Sequence, residues 1–497
     1  MILPYCNGNL WIFAWFGFVP LFFALKGKSK AKAFLLAYLT GSIFWAGTIY
    51  WLIHVTLPGL ILLILYLALY FGIFGLFISS IIPRPSSLVH PFIIPSIWVL
   101  LEFIRSYLFT GFGWALLGYS QYLNLPAIQL ADITGIWGVS FLVMMVNRAV
   151  YAFIAERKKY LIVLVVLLAA LSYGYYKIYR PSSLVHHPSS RVSVIQANIP
   201  QELKWDPDPQ VKYHIIDTYL SLSSRALNDR PELIIWPEAS LPAVLEEEPA
   251  FSSAVEEFAR QRKVAVLAGA VARRDNLYFN SAVLFSKEGG LAGRYEKIHL
   301  VPFGEYIPLR RYLPFLEAVV PIGEMSRGET YTVFKIQNKS KIQNPKSDIN
   351  FSVLICFEDL FPEISRRFVK NGAGFLVNIT NDGWYKKTSA AYQHLQASVL
   401  RAVENRRFLV RAANTGVSGF IHPSGRIIST VRDGRGEEIF VAGYRMQPVP
   451  ALSGPLTLYT RYGDIFILFC IIVILCGITV RFFPSASPSA PCVSPHR

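Results

Sequence analysis

The chain has 497 residues, of which 53% are hydrophobic and only 16% are charged, and its formal net charge is +16. A composition this apolar excludes an ordinary soluble protein, in which about a quarter of the residues are charged. The positive charge alone would suit a nucleic-acid-binding protein, but the sequence contains no such motif and loops beside a membrane account for much of the charge. We therefore expect a membrane protein that does not bind nucleic acid.

Seven apolar segments have about the length that a helix needs to cross a bilayer, ~20 residues. Six of them precede residue 180, which predicts a polytopic membrane domain over residues 1–180. The seventh predicts a final transmembrane helix over residues 464–483, followed by a C-terminal tail over residues 484–497. The first segment is not a signal peptide, because it lacks basic residues before its apolar core and a small-residue cleavage site after it. The segments are residues 10–25, 33–53, 59–82, 92–110, 125–147, 160–177 and 464–483.

The charge of the connecting loops predicts the orientation of these helices. The segments KGKSKAK (26–32) and NRAVYAFIAERKKY (147–160) are rich in Lys and Arg, whereas loops 54–58 and 111–124 contain neither. Basic loops are retained in the cytoplasm. The alternation of helices then places residues 191–450 on the outer face of the membrane.

Residues 191–450 alternate strand-like and helix-like patterns. Such alternation predicts an α/β domain with a largely buried sheet, and about 260 residues suffice for one domain with one core. Helical patterns occur near residues 210–228, 250–263, 362–371 and 388–406. Runs rich in β-branched residues occur at residues 191–198, 232–236, 264–271, 280–286, 351–356, 375–380, 408–414 and 437–444.

Three segments of this domain carry a reactive side chain where a strand or an extended run ends. LIIWPEASLP contains Glu238, RYEKIHLVPFGEYIP contains Lys297 and Glu305, and SVLICFEDLFPE contains Cys356. Because ligands of α/β sheets gather at strand ends, we expect these side chains to converge. A thiol can attack an acyl group if a base such as Glu238 takes its proton, and Lys297 can stabilise the resulting oxyanion.

Each of these residues also has a structural interpretation. Free Cys is among the most buried residue types, so Cys356 by itself fits a core position. A Glu after Trp-Pro and a single Lys on a loop are both common at protein surfaces, and His299 offers a rival Cys–His pair. No Cys/His cluster has the spacing of metal ligands, so we expect no metal site.

A few ionisable residues lie within or beside the apolar segments. Glu102 and Arg105 are one helical turn apart and could be a transport pair, and His54 and Asp132 could belong to a proton pathway. We instead interpret them as structural residues at helix ends or within the bundle.

Taken together, the segments WPE, EKIHLVPFGE and ICFED resemble the carbon–nitrogen hydrolase (nitrilase) superfamily. Three further segments, EFIRSYLFTGFGWALLGYSQ (102–121), QANIPQELKWDP (196–207) and NRRFLVRAANTGVSGFIHPSGR (405–426), are similar to the bacterial apolipoprotein N-acyltransferase family. The resemblance covers nearly the whole chain. It implies a nitrilase-like αββα sandwich domain inserted between transmembrane helices of a polytopic α-helical membrane domain. It also implies that the protein lies in the bacterial cell (inner) membrane, with the sandwich on the periplasmic side.

The resemblance also implies roles for particular residues. Cys356 is the expected nucleophile, Glu238 the general base and Lys297 the oxyanion stabiliser. Supporting active-site positions fall on Glu305 and Glu358, and positions of the substrate or lipid pocket fall on Trp205, Phe357 and Trp384. Two departures from the family stand out. Phe357 replaces a common Tyr, and we count seven membrane helices where the family usually has eight, which leads us to expect that the missing helix is the first.

The implied reaction is a ping-pong acyl transfer that completes lipoprotein maturation. Cys356 takes an acyl chain from a membrane phospholipid as a thioester and passes it to the N-terminal S-diacylglyceryl-cysteine of an apolipoprotein. The resemblance implies no cofactor, and we expect a monomer. The alternatives are a membrane-anchored amidase of the nitrilase family that uses water as acceptor, and a transporter or scaffold with an inactive domain.

Overall fold

The structure is a computed structural model that describes residues 1–81, 90–158, 160–179, 185–307, 324–336 and 349–482. Up to Tyr179 the described chain is helical. The α-helices are α1 Leu3–Cys6, α2 Val19–Leu25, α3 Lys30–Thr48, α4 Leu57–Ile81, α5 His90–Tyr107, α6 Leu125–Ile128, α7 Ala131–Thr134, α8 Ile136–Ala155 and α9 Leu161–Tyr179. Short 3₁₀ helices span Gly8–Trp15, Tyr50–His54 and Leu117–Gln121.

Four segments of the described residues are long and apolar enough to cross a membrane: Gly8–Leu25, Leu57–Ser79, Ile136–Ala155 and Leu161–Tyr179. Helices α3 and α5 coincide with two further predicted spans but are less apolar, since α3 begins with lysines and α5 contains Glu102 and Arg105. The last predicted span falls on the helix Ile465–Phe482, whose apolar part, Ile465–Thr479, is shorter than the four spans. The total of seven spans stays a prediction.

Three of the predicted spans are not the single helices that we expected. The segment 33–53 consists of α3, which ends at Thr48, and the 3₁₀ helix Tyr50–His54. The segment 125–147 is broken at Gly135, whose φ of +65° ends one helix, and the long helix α8 starts at Ile136 and continues to Ala155. The tight approach of Tyr459 explains the glycine, because a Cβ at this position would lie 2.5 Å from the ring. The segment 10–25 is a 3₁₀ helix followed by the separate helix α2.

The rest of the chain forms a sandwich of two six-stranded sheets with helices outside. The strand orders are β12-β1-β2-β3-β4-β5 and β11-β10-β9-β8-β7-β6. The strands are β1 Val185–Gln196, β2 Leu233–Ile235, β3 Ala265–Arg274, β4 Leu277–Phe285, β5 Leu291–Glu296, β6 Phe334–Ile336, β7 Ile349–Ile355, β8 Phe375–Thr380, β9 Leu409–Ala413, β10 Gly419–Ile421, β11 Ile427–Thr430 and β12 Gly443–Ser453. The helices are α10 Pro209–Ala226, α11 Pro249–Arg262, α12 Pro362–Lys370, α13 Ala390–Asn405, α14 Leu458–Tyr462 and α15 Ile465–Phe482.

Side-chain alternation along the strands separates the layers, as it must when both faces of a sheet are covered. In β2, Leu233 and Ile235 belong to the core between the two sheets, whereas Ile234 packs with the outer helices α10 and α11. Helices α12 and α13 cover the second sheet. The predicted αββα sandwich beside a helical membrane part is therefore confirmed.

The strand predicted over residues 437–444 is wrong for most of its length, because β12 begins only at Gly443. The side-chain amide of Gln196 donates to the backbone carbonyl oxygens of Glu438 and Val441, at 2.9 and 3.0 Å. These carbonyl groups are thus satisfied without a sheet partner, as buried backbone groups must be.

Helix α13 joins the sandwich to the membrane part. All of its residues except Tyr392 are buried. At its N-terminal end, Gln393 Oε1 accepts hydrogen bonds from the indole nitrogens of Trp51 and Trp114, at 3.0 and 2.6 Å. At its C-terminal end, Glu404 accepts from the backbone nitrogen of Ile136 at 3.0 Å.

The ionisable residues of the membrane part have structural contacts. Asp132 binds the guanidinium of Arg406, just after α13, at 2.8 Å. Glu102 accepts from the backbone nitrogen of Leu117 at 2.6 Å, and Arg105 donates to two backbone carbonyl oxygens of the following loop, at 2.7 and 2.8 Å. Glu102 and Arg105 therefore hold one loop, without a direct ion pair between them, and these contacts favour the structural interpretation.

Candidate active site

Cys356 lies directly after β7, where the chain turns from a strand into a 3₁₀ helix, Cys356–Leu360. Its φ is +55°, in the left-handed region that non-glycine residues seldom adopt. Its carbonyl oxygen accepts a hydrogen bond of 2.9 Å from the side chain of Asn378. Backbone conformations of this kind persist where the surroundings fix them, and they cluster at functional sites.

Glu238 follows β2 on the neighbouring sheet and is 8% exposed. Its Oε1 accepts from Asn280 Nδ2 at 2.8 Å, and its Oε2 accepts from the backbone nitrogen of Asn381 at 3.0 Å. Gly269 makes this close packing possible, because a Cβ there would lie 2.6 Å from the Cα of Glu238. The carboxylate is thus held at both oxygens.

Lys297 is almost fully buried and lies between two carboxylates. Its Nζ is 2.9 Å from Glu305 Oε2 and 3.7 Å from Glu238 Oε1. Burial alone would lower the pKa of Lys297, but the charges of Glu305 and Glu238 and the neighbouring Cys356 raise it above its usual range. The site therefore holds a permanent cation at neutral pH.

Asn280 completes this arrangement, and sequence reasoning missed it. Its Nδ2 donates to Glu305 Oε1 at 2.7 Å as well as to Glu238, and its backbone carbonyl oxygen accepts from the backbone nitrogen of Lys297 at 2.8 Å. Three of the predicted residues are therefore bound to one asparagine in the middle of β4.

The environment of Cys356 favours the neutral thiol in the resting protein. Burial raises the pKa of Cys356 well above its usual value, the negative charge of Glu238 raises it further, and the positive charge of Lys297 lowers it. A thiol is a poor nucleophile. Attack on a substrate would then require a base that takes the thiol proton, and Glu238 is a carboxylate whose charge acts on this thiol.

Glu358 has a different position from the other predicted residues. Its carboxylate is fully buried and accepts hydrogen bonds from the hydroxyl of Tyr295 and from the backbone nitrogens of Ile298, His299 and Ile355, at 2.7 to 3.1 Å. Burial raises its pKa to about 7, against the effect of these donors. Glu358 thus ties the segment after Lys297 to the end of β7, and it supports the site rather than lining it.

The three pocket residues lie in two different settings. Phe357 is partly buried, and Lys297 Nζ lies 5.4 Å from its ring centroid, within the range of a cation–π contact. Trp205 and Trp384 are each about half exposed. Their loops are joined by an ion pair of 2.6 Å between Lys386 and Glu202. A pocket lined by these three side chains stays a prediction.

The rival pair of Cys356 with His299 does not form. His299 Nε2 lies 3.0 Å from the carbonyl oxygen of Thr110, and the imidazole stacks on the ring of Phe361 with centroids 3.7 Å apart. Burial lowers the pKa of His299 to about 4, so it is neutral at pH 7. His299 joins the sandwich to a loop of the membrane part.

Two more residues near the site carried no recognisable signal in the sequence. Lys204 is 3% exposed and donates to the carbonyl oxygens of Glu238 and Ala239. Tyr385 packs against Trp51 of the membrane part with centroids 4.5 Å apart. A buried lysine or tyrosine on a loop is visible only when the fold brings its partners together.

Comparison with known proteins identifies both parts of the chain. Residues 1–149 match the apolipoprotein N-acyltransferase N-terminal domain, and residues 191–449 match the carbon–nitrogen hydrolase family. Among solved structures, an amidase of the nitrilase superfamily from Nesterenkonia AN1 covers 58% of this chain and 100% of its own, at 18% identity and a TM-score of 0.41. At that score the similarity carries no further conclusion.

Relatives of known name extend over both parts of the chain. The apolipoprotein N-acyltransferase of Geobacter metallireducens is 38% identical and covers 92% of this chain and 88% of its own length. That of Pasteurella multocida is 31% identical, covering 86% of this chain and 84% of its own. Similarity of this extent, over helices and sandwich alike, shows that the chain belongs to the apolipoprotein N-acyltransferase family.

Proposed function

We propose that this protein transfers an acyl chain from a membrane phospholipid to the N-terminal amine of a diacylglyceryl-apolipoprotein, through a thioester on Cys356. The names of its relatives support acyl transfer to lipoproteins. The observation that carries the chemistry is the position of Lys297 between Glu238 and Glu305, beside Cys356. A nucleophile, a base and a fixed cation are the groups that acyl transfer through a covalent intermediate needs.

In the first half-reaction, the sulfur of Cys356 attacks the ester carbonyl carbon of the phospholipid while Glu238 accepts the thiol proton. A C–S bond forms, and the negative charge that develops on the carbonyl oxygen is stabilised by Lys297. The ester C–O bond then breaks, and the leaving alkoxide takes the proton from Glu238. The products are a lysophospholipid and the acyl thioester.

In the second half-reaction, the lipoprotein amine attacks the thioester carbonyl carbon. A C–N bond forms and the C–S bond breaks, while Glu238 takes a proton from the attacking nitrogen and returns it to the departing sulfur. Because the same groups serve both steps in reverse order, one site suffices for a ping-pong mechanism.

Intact-mass analysis with a phospholipid of defined chain length tests this function. We expect one acyl adduct on the wild-type protein and none on Cys356→Ser, while Cys476→Ser, a change of an exposed cysteine in α15, keeps the adduct. A normal adduct on Cys356→Ser would remove this residue from the mechanism.

The fate of the adduct distinguishes acyl transfer from hydrolysis. Both substrates are lipid-anchored, so the site must exclude water, which would otherwise compete with a dilute amine. We expect a long-lived thioester with phospholipid alone and rapid discharge when a diacylglyceryl-cysteine peptide is added. Release of free fatty acid at the full turnover rate without the peptide would identify a hydrolase instead.

We also propose a location and a domain organisation. A membrane domain over residues 1–180 and a final helix over 464–483 hold the periplasmic catalytic domain, residues 191–450, on the bacterial inner membrane, and the protein acts as a monomer. Loop charge supports this orientation. Reporter fusions near residues 191 and 450 that are active only in the cytoplasm would contradict it.

A further inference from the structure

Four ionisable side chains are buried together beneath Cys356. Asp359, Asp382, His394 and Arg411, which we call the charge cluster, are each at most 1% exposed. None of them takes part in the mechanism described above. Buried ionisable groups are costly unless they are paired, so their arrangement next to the nucleophile requires an explanation.

His394 lies at the centre of the charge cluster, between the two carboxylates. Its Nδ1 is 2.8 Å from Asp382 Oδ1 and its Nε2 is 3.0 Å from Asp359 Oδ1. A carboxylate only accepts hydrogen bonds, so both ring nitrogens donate and the ring is an imidazolium. Consistent with this, the pKa of His394 is raised to about 9, because the two carboxylates outweigh the opposing effects of burial and Arg411.

Arg411 provides the second cation of the cluster. Its Nη1 lies 3.3 Å from Asp359 Oδ2 and its Nη2 lies 3.2 Å from Asp382 Oδ2. Two carboxylates and two cations give a net charge of zero. In the described part of the chain, these are the charged groups that the structure places against His394, and the ring of Trp114 packs over it with centroids 5.5 Å apart.

The charge cluster is connected directly to the nucleophile. His394 Nε2 lies 3.3 Å from the carbonyl oxygen of Cys356, which also accepts from Asn378. Asp359 belongs to the same 3₁₀ helix as Cys356. His394 therefore helps to hold the peptide group that follows Cys356, the residue with the left-handed φ.

We propose that His394 is a positioning residue for acyl transfer, which holds the Cys356 carbonyl group and keeps the charge beneath the nucleophile at zero. The proposal rests on the proposed function of Cys356. Without the imidazolium, the cluster would carry one unbalanced negative charge. That charge would raise the pKa of the thiol, as Glu238 already does, and would make loss of the thiol proton harder.

The pH dependence of Cys356 alkylation by iodoacetamide tests this proposal without any lipid. We expect His394→Gln to be alkylated about tenfold more slowly than wild type near pH 8, which corresponds to a thiol pKa raised by about one unit. Asp382→Asn removes a negative charge instead and should react no more slowly than wild type. The double variant His394→Gln/Asp382→Asn restores zero charge and should return to within about threefold of wild type.

Gln396→Met is the matched control, because Gln396 is buried in the same helix and is not part of the cluster. It should be alkylated at the wild-type rate. Unchanged alkylation of His394→Gln, or a double variant as slow as that single variant, would overturn the proposal. If His394→Gln does not fold, the double variant decides between the two explanations. Alkylation of the double variant at the wild-type rate would support charge balance. Failure of the double variant to fold would show that His394 serves only for packing. The proposed function is tested separately, by the acyl adduct that forms on the wild-type protein with phospholipid.

Discussion

The ammonium group of Lys204 donates a hydrogen bond of 3.1 Å to the backbone carbonyl oxygen of Glu238, the proposed general base. A second bond of 2.9 Å reaches the carbonyl oxygen of Ala239, whose φ of +47° marks a constrained turn. Lys204 therefore fixes the backbone that presents the carboxylate of Glu238. Burial lowers its pKa to about 8, so at neutral pH it is still mostly protonated.

Lys204→Met should lower kcat by about tenfold, because loss of both hydrogen bonds lets the Glu238 turn shift by a fraction of an ångström, and a full 1 Å can cost about 100-fold. The KM for the lipid donor should change less. Lys212→Met is the control, since Lys212 forms an ion pair with Glu248 away from the described site and should stay within about twofold. A normal kcat for Lys204→Met would show that the turn is held by other contacts.

Asn280→Asp should abolish most of the activity, by about 100-fold or more. The change replaces a donor to Glu238 and Glu305 with a third carboxylate, and Lys297 cannot balance three negative charges. Asn276→Asp, the same change at an exposed position on the β3–β4 hairpin, should leave acyl transfer unchanged. Steady-state transfer to a diacylglyceryl-cysteine peptide measures both, and an active Asn280→Asp protein would contradict the assigned geometry.

Glu358→Gln should reduce the free energy of unfolding by about 2–4 kcal/mol, because an amide nitrogen would then face buried donors. The exposed Glu363, paired with Arg367 one turn along α12, provides the control. Glu363→Gln should cost about 0.5 kcal/mol or less. Thermal unfolding in detergent measures both, and equal stability of the two variants would be inconsistent with the network around Glu358.

The pH dependence of stability should report His394. Its pKa of about 9 in the folded protein exceeds the ordinary 6.5, so its contribution is complete below about pH 6.5 and is lost as the pH rises through 9. The difference in melting temperature between wild type and His394→Gln should therefore shrink across that interval. Taking the difference removes the effects of other groups, such as Lys204. A difference that stays constant with pH would mean that His394 is neutral in the folded protein.

Phe357→Tyr should retain activity within about threefold, whereas Phe357→Ala should lose about tenfold. The ring faces Lys297 Nζ and packs edge-on against Phe361, and neither contact needs a hydroxyl. In Phe357→Ala, the loss of the cation–π contact and of the apolar contacts of the ring should raise the activation free energy by about 1–2 kcal/mol. Initial rates at low phospholipid concentration provide the comparison. An inactive Phe357→Tyr protein would show that the hydroxyl is harmful in this site.

The sandwich and the convergence of Glu238, Lys297 and Cys356 were predictable from the sequence because both leave local signals. Strand ends followed by Glu238 or Cys356 are visible as short patterns, and the structure brings them together with Lys297. Asn280 was missed because an asparagine within a strand pattern resembles any other polar residue on a sheet. Its importance depends on Glu238 and Glu305, which are distant in sequence.

The charge cluster was missed for the same physical reason. Asp359, Asp382, His394 and Arg411 come from four different elements and share no spacing that a motif could describe. Periodicity also failed at Gly135, where apolar residues continue on both sides of a backbone break. Hydrophobicity reports that a segment is buried, but a single glycine decides where the helix starts.

Helix α13 contacts the membrane part through Gln393, and it contacts Cys356 through the next residue, His394. Because α13 packs against both the membrane part and the segment of Cys356, substitutions in this helix are constrained by both. Trp51 and Trp114 should therefore co-vary with Gln393 among natural relatives. Chimeras that combine the membrane half of one relative with the sandwich of another should recover function only when the facing residues of α13 are exchanged along with the membrane half.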